Sequence, residues 1–206
     1  MLPILLVFSS LMLNAQSNNE VLISWSEDRP LTWLDYKGKP RKDSDAAAST
    51  ATYLGFDYNI SQIGLSYRIT CSFSSTKSWG LHKTDYILAH EQGHFDIAEI
   101  FARKLHQQIS NYKFNRRTYR DDLARIYHSV TSEKDAFQNQ YDSETNHSIN
   151  KTKQEEWLRR IDQLLHEYQA YAGYNPDFQA GILNPGFDFG TFPRPRTSML
   201  GVQIKF

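Results

Sequence analysis

The stretch Ile87-Leu88-Ala89-His90-Glu91-Gln92-Gly93-His94-Phe95-Asp96-Ile97 decides how this chain is read. It places His-Glu-x-x-His inside a run with helical character. At about 3.6 residues per turn, His90 and His94 project from one face of a helix, one turn apart. Two imidazoles so placed reach one Zn²⁺ at about 2.0–2.1 Å. Glu91 lies on the adjoining face, where its carboxylate can take a proton from water activated by the metal.

The surroundings bear on that reading. Ile87, His90, His94, Ile97, Phe101, Leu105 and Ile109 form one stripe at spacings of three and four. Both histidines therefore belong to the apolar, inward face. The bland alternative is a buried helix with two satisfied core histidines. Two polar rings side by side in a core need partners, and a metal satisfies both at once.

Outward from the motif, the periodicity changes character. Upstream, residues 21–25 read as a short strand and residues 31–36 as another, which Gly38 and Pro40 end. In residues 48–59, Thr50, Thr52, Leu54, Phe56 and Tyr58 line one face; in residues 65–74, Leu65, Tyr67, Ile69, Cys71 and Phe73 do so. The short connection through Gly64 predicts an antiparallel pair. Downstream, residues 84–112, 119–141 and 150–171 carry helical spacing, with Thr152 and Glu155 as a capping box for the last. Strands followed by helices predict an α+β fold: a small antiparallel sheet, then helices, with a zincin-like metal-site helix.

Lys+Arg and Asp+Glu balance at 23 each, so no basic excess points to nucleic acid or a membrane surface. Residues 1–16 read as a signal peptide: Leu2 to Leu13 is mostly apolar and Ala15 offers a small residue for cleavage, although no Lys or Arg precedes the run. The protein is thus expected to be exported, periplasmic or secreted. Cys71 is the single cysteine and falls on an apolar strand face, so it is read as a small core residue. No later segment is long and apolar enough to cross a membrane as a helix. Residues 20–171 are read as one domain. Residues 172–206 form a Gly/Pro-rich tail, in which Leu200, Val202, Ile204 and Phe206 alternate as a terminal strand.

A catalytic zinc takes three protein ligands and water. Glu99 is rotated by about 140° from His94, so it is read as a salt-bridged surface residue. His106 lies about 24 Å along the helix from His90, too far to share an ion. His82, His128 and His166 are read as surface residues. The segment Tyr141-Asp142-Ser143-Glu144-Thr145-Asn146-His147 joins two helices and gathers a Tyr, two carboxylates and a His. It is either a polar capping loop or the source of the third ligand, and spacing alone leaves both open.

The chain resembles a bacterial family of unknown function described as predicted secreted zinc-dependent proteases. The matching residues are Trp25, Leu31-Thr32-Trp33, Asp35-Tyr36, Gly38 and Ser78-Trp79. They continue with His90 through Ile97, Glu99, Ala102-Arg103, Tyr141-Asp142, Thr145, His147, Gln154 and Trp157. The resemblance implies zinc-dependent peptide hydrolysis on a peptide or protein substrate. It also implies His147 as the third ligand beside His90 and His94. The chain departs from the expected pattern at Ser148, where the resemblance implies Gly. Glu91 is cast as the general base and Tyr141 as an oxyanion donor. The competing class is a non-catalytic, zinc-stabilised domain that binds envelope partners.

The tail resembles something different. Asn184-Pro185-Gly186-Phe187-Asp188-Phe189-Gly190, Pro193-Arg194-Pro195-Arg196-Thr197 and the terminal strand are similar to the carboxy-terminal end of starch-utilisation-type TonB-dependent receptors. That likeness implies an outer-membrane association. One strand cannot close a barrel, so an ordinary extended tail stands as the alternative.

Overall fold

A computed structural model describes residues 20–40, 44–61, 64–174 and 199–201. The expected signal peptide and most of the tail lie outside them. The fold is α+β: an antiparallel sheet followed by three helices.

The long hairpin forms where the alternation places it. β2 (Ala48–Ser61) and β3 (Gly64–Ser74) pair antiparallel, with Leu54 opposite Cys71, Phe56 opposite Ile69 and Thr52 opposite Phe73. The turn closes at Gly64, whose φ of 130° is open to a residue without a Cβ. β1 (Leu22–Ser24) adds to the outer edge of β3. β4 (Trp79–Gly80) pairs with the start of β2, and the sheet order is β1-β3-β2-β4. Cys71 is buried, as its strand position predicts.

The segment expected as a strand at residues 31–36 is a turn instead. Asp35 explains it: its carboxylate accepts hydrogen bonds from Thr32 N (2.8 Å) and Thr32 Oγ1 (3.0 Å). A short side chain that satisfies the backbone three residues back competes with a sheet ladder.

α1 (Asp85–Ser110) starts at Thr84, whose hydroxyl caps Ile87 N. It packs against both long strands and both other helices. Its stripe is buried from His90 through Ile97, Phe101, Leu105 and Ile109, in one core with Ile69, Phe73 and Leu54. Each such aliphatic or aromatic side chain contributes about 1.5–3 kcal/mol on burial. α2 (Tyr119–Thr145) runs four residues beyond its expected end. α3 (Lys151–Glu167) is capped by Asn150, which accepts from Lys153 N, rather than by the expected Thr152–Glu155 box. A 3₁₀ turn, Gln169–Tyr171, follows it.

Of the tail, the described residues 199–201 form a short strand, β5 (Met199–Gly201). It pairs antiparallel with β2, Leu200 opposite Thr50. Tyr174 packs on the core and donates a hydrogen bond to Glu99 at 2.8 Å. No helix among the described residues is long and apolar enough to cross a membrane.

Candidate metal centre

α1 supplies the two histidines and α2 brings an acid to them. His90 Nε2 lies 3.2 Å from Asp142 Oδ1, and His94 Nε2 lies 3.0 Å from the same oxygen. His90 and His94 are 0% and 1% exposed, and Asp142 is 6% exposed. Their ligand atoms all lie within 4.8 Å of one another, so His90, His94 and Asp142 can hold a metal ion. The donor set fits one: two imidazole nitrogens and a carboxylate match zinc coordination. Buried His90 Nδ1, His94 Nε2 and Glu91 Oε1 also lack a well-formed hydrogen bond, which a dry protein core does not tolerate without cause.

The charges within the cluster are shared unequally. Burial would lower the His94 value, but the Asp142 carboxylate overrides it and lifts it to about 9. Burial pushes His90 down to about 4, with the Asp142 contact opposing. Burial would raise Asp142; the His94 charge and the closeness of both rings hold it well below the usual carboxylate range. One proton thus sits on His94 where a cation would otherwise neutralise the acid.

Glu91 is fully buried beside them. Burial raises its value to about 7, against the His94 charge and a hydroxyl bond from Thr50. Thr50 Oγ1 donates to Glu91 Oε2 at 2.5 Å, and the Tyr36 hydroxyl lies 2.9 Å from Thr50 Oγ1. Thr50 has one proton, spent on Glu91, so Tyr36 must be the donor to Thr50. The relay anchors Oε2 and leaves Oε1 without a partner.

The amino-terminal segment is clipped onto the same helix. Trp25 Nε1 donates to Asp96 (2.8 Å), Leu31 N donates to Gln92 Oε1 (2.7 Å), and Gln92 Nε2 also donates to Asp96 (2.7 Å). These bonds tie Trp25 and Leu31 to the motif helix, and Tyr36 reaches the motif through Thr50.

His147 stands at the rim. Its Nδ1 is 3.9 Å from Asp142 Oδ1, too long for a hydrogen bond, and its side chain is 30% exposed. Residues Tyr141 to Thr145 are not a loop, as expected, but the last turns of α2. The chain turns afterwards through Asn146, His147 and Ser148, all left-handed, with φ of 48°, 51° and 69°. A left-handed non-glycine residue costs about 1–2 kcal/mol. The turn is held by His147 N→Asp142 O and Asn150 N→Thr145 O (both 2.8 Å) and by Tyr86 Oη→Ser148 O (2.7 Å). Ser148 is where Gly was expected, and its φ gives the reason. Ser148→Gly should therefore raise the melting temperature, by about 0.5–1 kcal/mol of stability, because the relieved strain exceeds the added chain entropy. Thermal unfolding checks this; a lower melting temperature would show that the Ser148 side chain holds the turn.

Tyr141, expected as an oxyanion donor, has its hydroxyl on the His90 carbonyl at 3.2 Å and no exposed surface. Its ring stacks on His90 (4.5 Å between centroids) and meets His94 edge-on (5.1 Å). It is a strut behind both imidazoles. The strut needs Gly93: a Cβ there would sit 2.6 Å from Tyr141 Oη and 3.0 Å from its Cζ. Gly93→Ala should cost about 1–3 kcal/mol in overpacking, more than the gain of about 1 kcal/mol in helix propensity. The melting temperature should fall by several degrees; an unchanged value would mean that Tyr141 relaxes freely.

Glu99 is salt-bridged, as expected, to Arg103 at 2.9 Å, but the pair is buried, not on the surface. Only a basic partner on the same inward face could have signalled that. His82, His128 and His166 are exposed, as read, and His106 Nδ1 lies 2.9 Å from the Tyr171 carbonyl. Asp142, Thr50 and Tyr36 were not read as functional side chains. Asp142 follows Gln138 by four residues and precedes Thr145 by three, one helical face that became visible once α2 ran to Thr145.

An α+β protein with a buried cluster of two histidines and an aspartate, set on a His-Glu-x-x-His helix, is the class that fold and site define. Residues 30–148, more than half of the chain, match the family described as bacterial protein of unknown function (DUF922), and the chain belongs to it. No curated protein and no solved structure matches it.

Proposed function

We propose that the protein is a zinc-dependent peptidase that works in the cell envelope or outside the cell. The observation that carries this reading is Glu91. A carboxylate with no exposed surface and one unpartnered oxygen is costly to keep. Beside two histidines and an aspartate able to hold a metal, it suits a general base.

His90 and His94 would hold the ion with one further donor, Asp142 or His147, and the fourth position would stay open to water. Zinc, when bound there, would supply Lewis acidity toward a peptide carbonyl and toward water. Glu91 then takes the proton from the attacking water on Oε1 and returns it to the leaving amine. Thr50 and Tyr36 hold the other oxygen so that Oε1 keeps its place. The peptide substrate rests on the resemblance, and the exported location rests on the apolar run from Leu2 to Leu13.

A second reading has its own observation. Asp142 and His147 flank the histidines together, and four protein ligands would close the shell. A closed shell belongs to a structural zinc site, here a non-catalytic envelope-binding domain. Metal analysis of the purified full chain, paired with a broad peptide-cleavage screen, separates the readings. One zinc per chain with cleavage is the expected result. Zinc without cleavage favours the structural site, and no bound transition metal overturns both.

A further inference from the structure

We infer that Gln138 on α2 and Gln154 on α3 are paired positioning residues, which fix both imidazoles with Nδ1–H outward and Nε2 turned to the shared centre. The inference rests on the reading of the cluster as a metal site for its purpose, but not for its geometry.

Gln138 grips one histidine twice. Its Nε2 donates to the His94 backbone carbonyl at 3.0 Å, and its Oε1 meets His94 Nδ1. An amide nitrogen can only donate and an amide oxygen can only accept. With the nitrogen spent on a carbonyl, the amide cannot be flipped, so the oxygen faces the ring. His94 Nδ1 must then carry a proton, which leaves Nε2, the nitrogen facing Asp142, as the one that can give up its proton and bind a metal.

Gln154 repeats the arrangement from another helix. Its Nε2 donates to the Tyr86 carbonyl at 3.0 Å, which again fixes the oxygen as the free end. That Oε1 and His90 Nδ1 are both buried and without a well-formed bond. Gln154 is nonetheless close enough to favour a proton on the His90 ring. His90 Nε2 faces the same Asp142 oxygen as His94 Nε2 does, and without a metal it donates to that carboxylate, which leaves Nδ1 with no proton for Gln154. With Nε2 on a metal, the ring proton would sit on Nδ1, where Gln154 Oε1 can accept it.

Both glutamines are essentially unexposed, at 0% and 1%. A buried amide with only a carbonyl partner wastes its oxygen, whereas one that also orients an imidazole does not. Outer partners of this kind set the tautomer and ring angle of a metal-binding histidine. Gln154 lies beyond the residues 30–148 that define the family match, so α3 belongs to the site although the match stops short of it.

The test reads the rings directly. Nitrogen-15 and proton spectra of the zinc-loaded full chain should show a hydrogen-bonded, slowly exchanging Nδ1–H on His90 and on His94. Gln138→Leu should lose that hydrogen bond at His94 alone, and Gln154→Leu at His90 alone. In chelator competition each variant should bind Zn²⁺ about 10–100-fold more weakly while still melting cooperatively. Gln138→Glu keeps an acceptor for Nδ1–H and should recover most of the affinity, which a mere packing role would not predict. Nε2–H rings in the zinc-loaded wild-type chain would overturn the assignment, whether or not the variants fold. So would a Gln138→Leu variant with an unchanged Nδ1–H signal and affinity. A chain that took up no zinc but kept the Gln138 bond to His94 Nδ1–H would uphold the Gln138 assignment and overturn the metal reading instead.

Discussion

Glu91→Gln should abolish peptide hydrolysis and leave the metal in place. Glu91 Oε2 is tied to Thr50, and the ligand group comprises His90, His94 and Asp142. The substitution keeps the size and the Thr50 contact but removes the basic oxygen. General acid–base catalysis contributes about 10²–10⁴-fold, so turnover on a substrate found by screening should fall by at least that factor. Zinc stoichiometry, measured on the same preparation, should stay at the wild-type value. A variant that loses its zinc, or keeps full activity, would sink the role given to Glu91.

The same substitution has a signature in stability that needs no substrate. Burial raises Glu91 from its ordinary value of 4.5 to about 7 in the metal-free chain. A raised acid binds its proton more tightly folded than unfolded. Below the unfolded value both states are protonated and the site costs nothing. As pH rises from about 4.5 to about 7 the unfolded chain ionises while the folded chain keeps the proton on its buried carboxyl, and stability is lost across that window. The loss is on the order of 3 kcal/mol, at 1.36 kcal/mol per unit. Metal-free Glu91→Gln should therefore match the wild type near pH 4 and exceed it increasingly toward pH 8, a gap that bound zinc would shrink. Parallel melting curves across pH would show that Glu91 is not desolvated.

How far the sequence carried the fold depended on the kind of signal. The hairpin was legible because Leu65, Tyr67, Ile69, Cys71 and Phe73 alternate without a break. α1 was legible because its stripe holds for six turns. Residues 31–36 misled because Leu31, Trp33 and Tyr36 look apolar enough for a strand, while the deciding group is the Asp35 carboxylate turned back onto Thr32. The end of α2 was hidden by the polar run after Tyr141, which buries Asp142 and Thr145 against α1 rather than exposing them. Spacing within one helix locates His90 and His94. Residues that converge from three other elements, such as Thr50, Gln138 and Gln154, leave no spacing to read.

Asp142 and His147 compete for the role of third ligand, and a direct comparison should rank them above Glu99. Asp142 Oδ1 touches both ring nitrogens, whereas His147 stops 3.9 Å short of it on a strained turn. The strain is itself informative: three left-handed residues in a row persist only where their surroundings over-determine them. Here the surroundings hold an unpartnered His147 Nδ1 beside the cluster. Of Asp142→Asn and His147→Ala, the one that removes the third ligand should weaken zinc binding by more than the 10–100-fold typical of outer-shell changes, and such a loss in both would mark a closed shell. Glu99→Ala should leave the affinity nearly unchanged. It should instead cost about 3–5 kcal/mol of stability, because it strands the buried Arg103 guanidinium. Chelator competition and thermal melting on the three variants give both readouts. Full affinity in His147→Ala, with loss in Asp142→Asn, would leave Asp142 as the third ligand and an open fourth position. Zinc loss in Glu99→Ala alone would undo the geometry argued from α1, since Glu99 faces Arg103 and Tyr174 rather than the histidines.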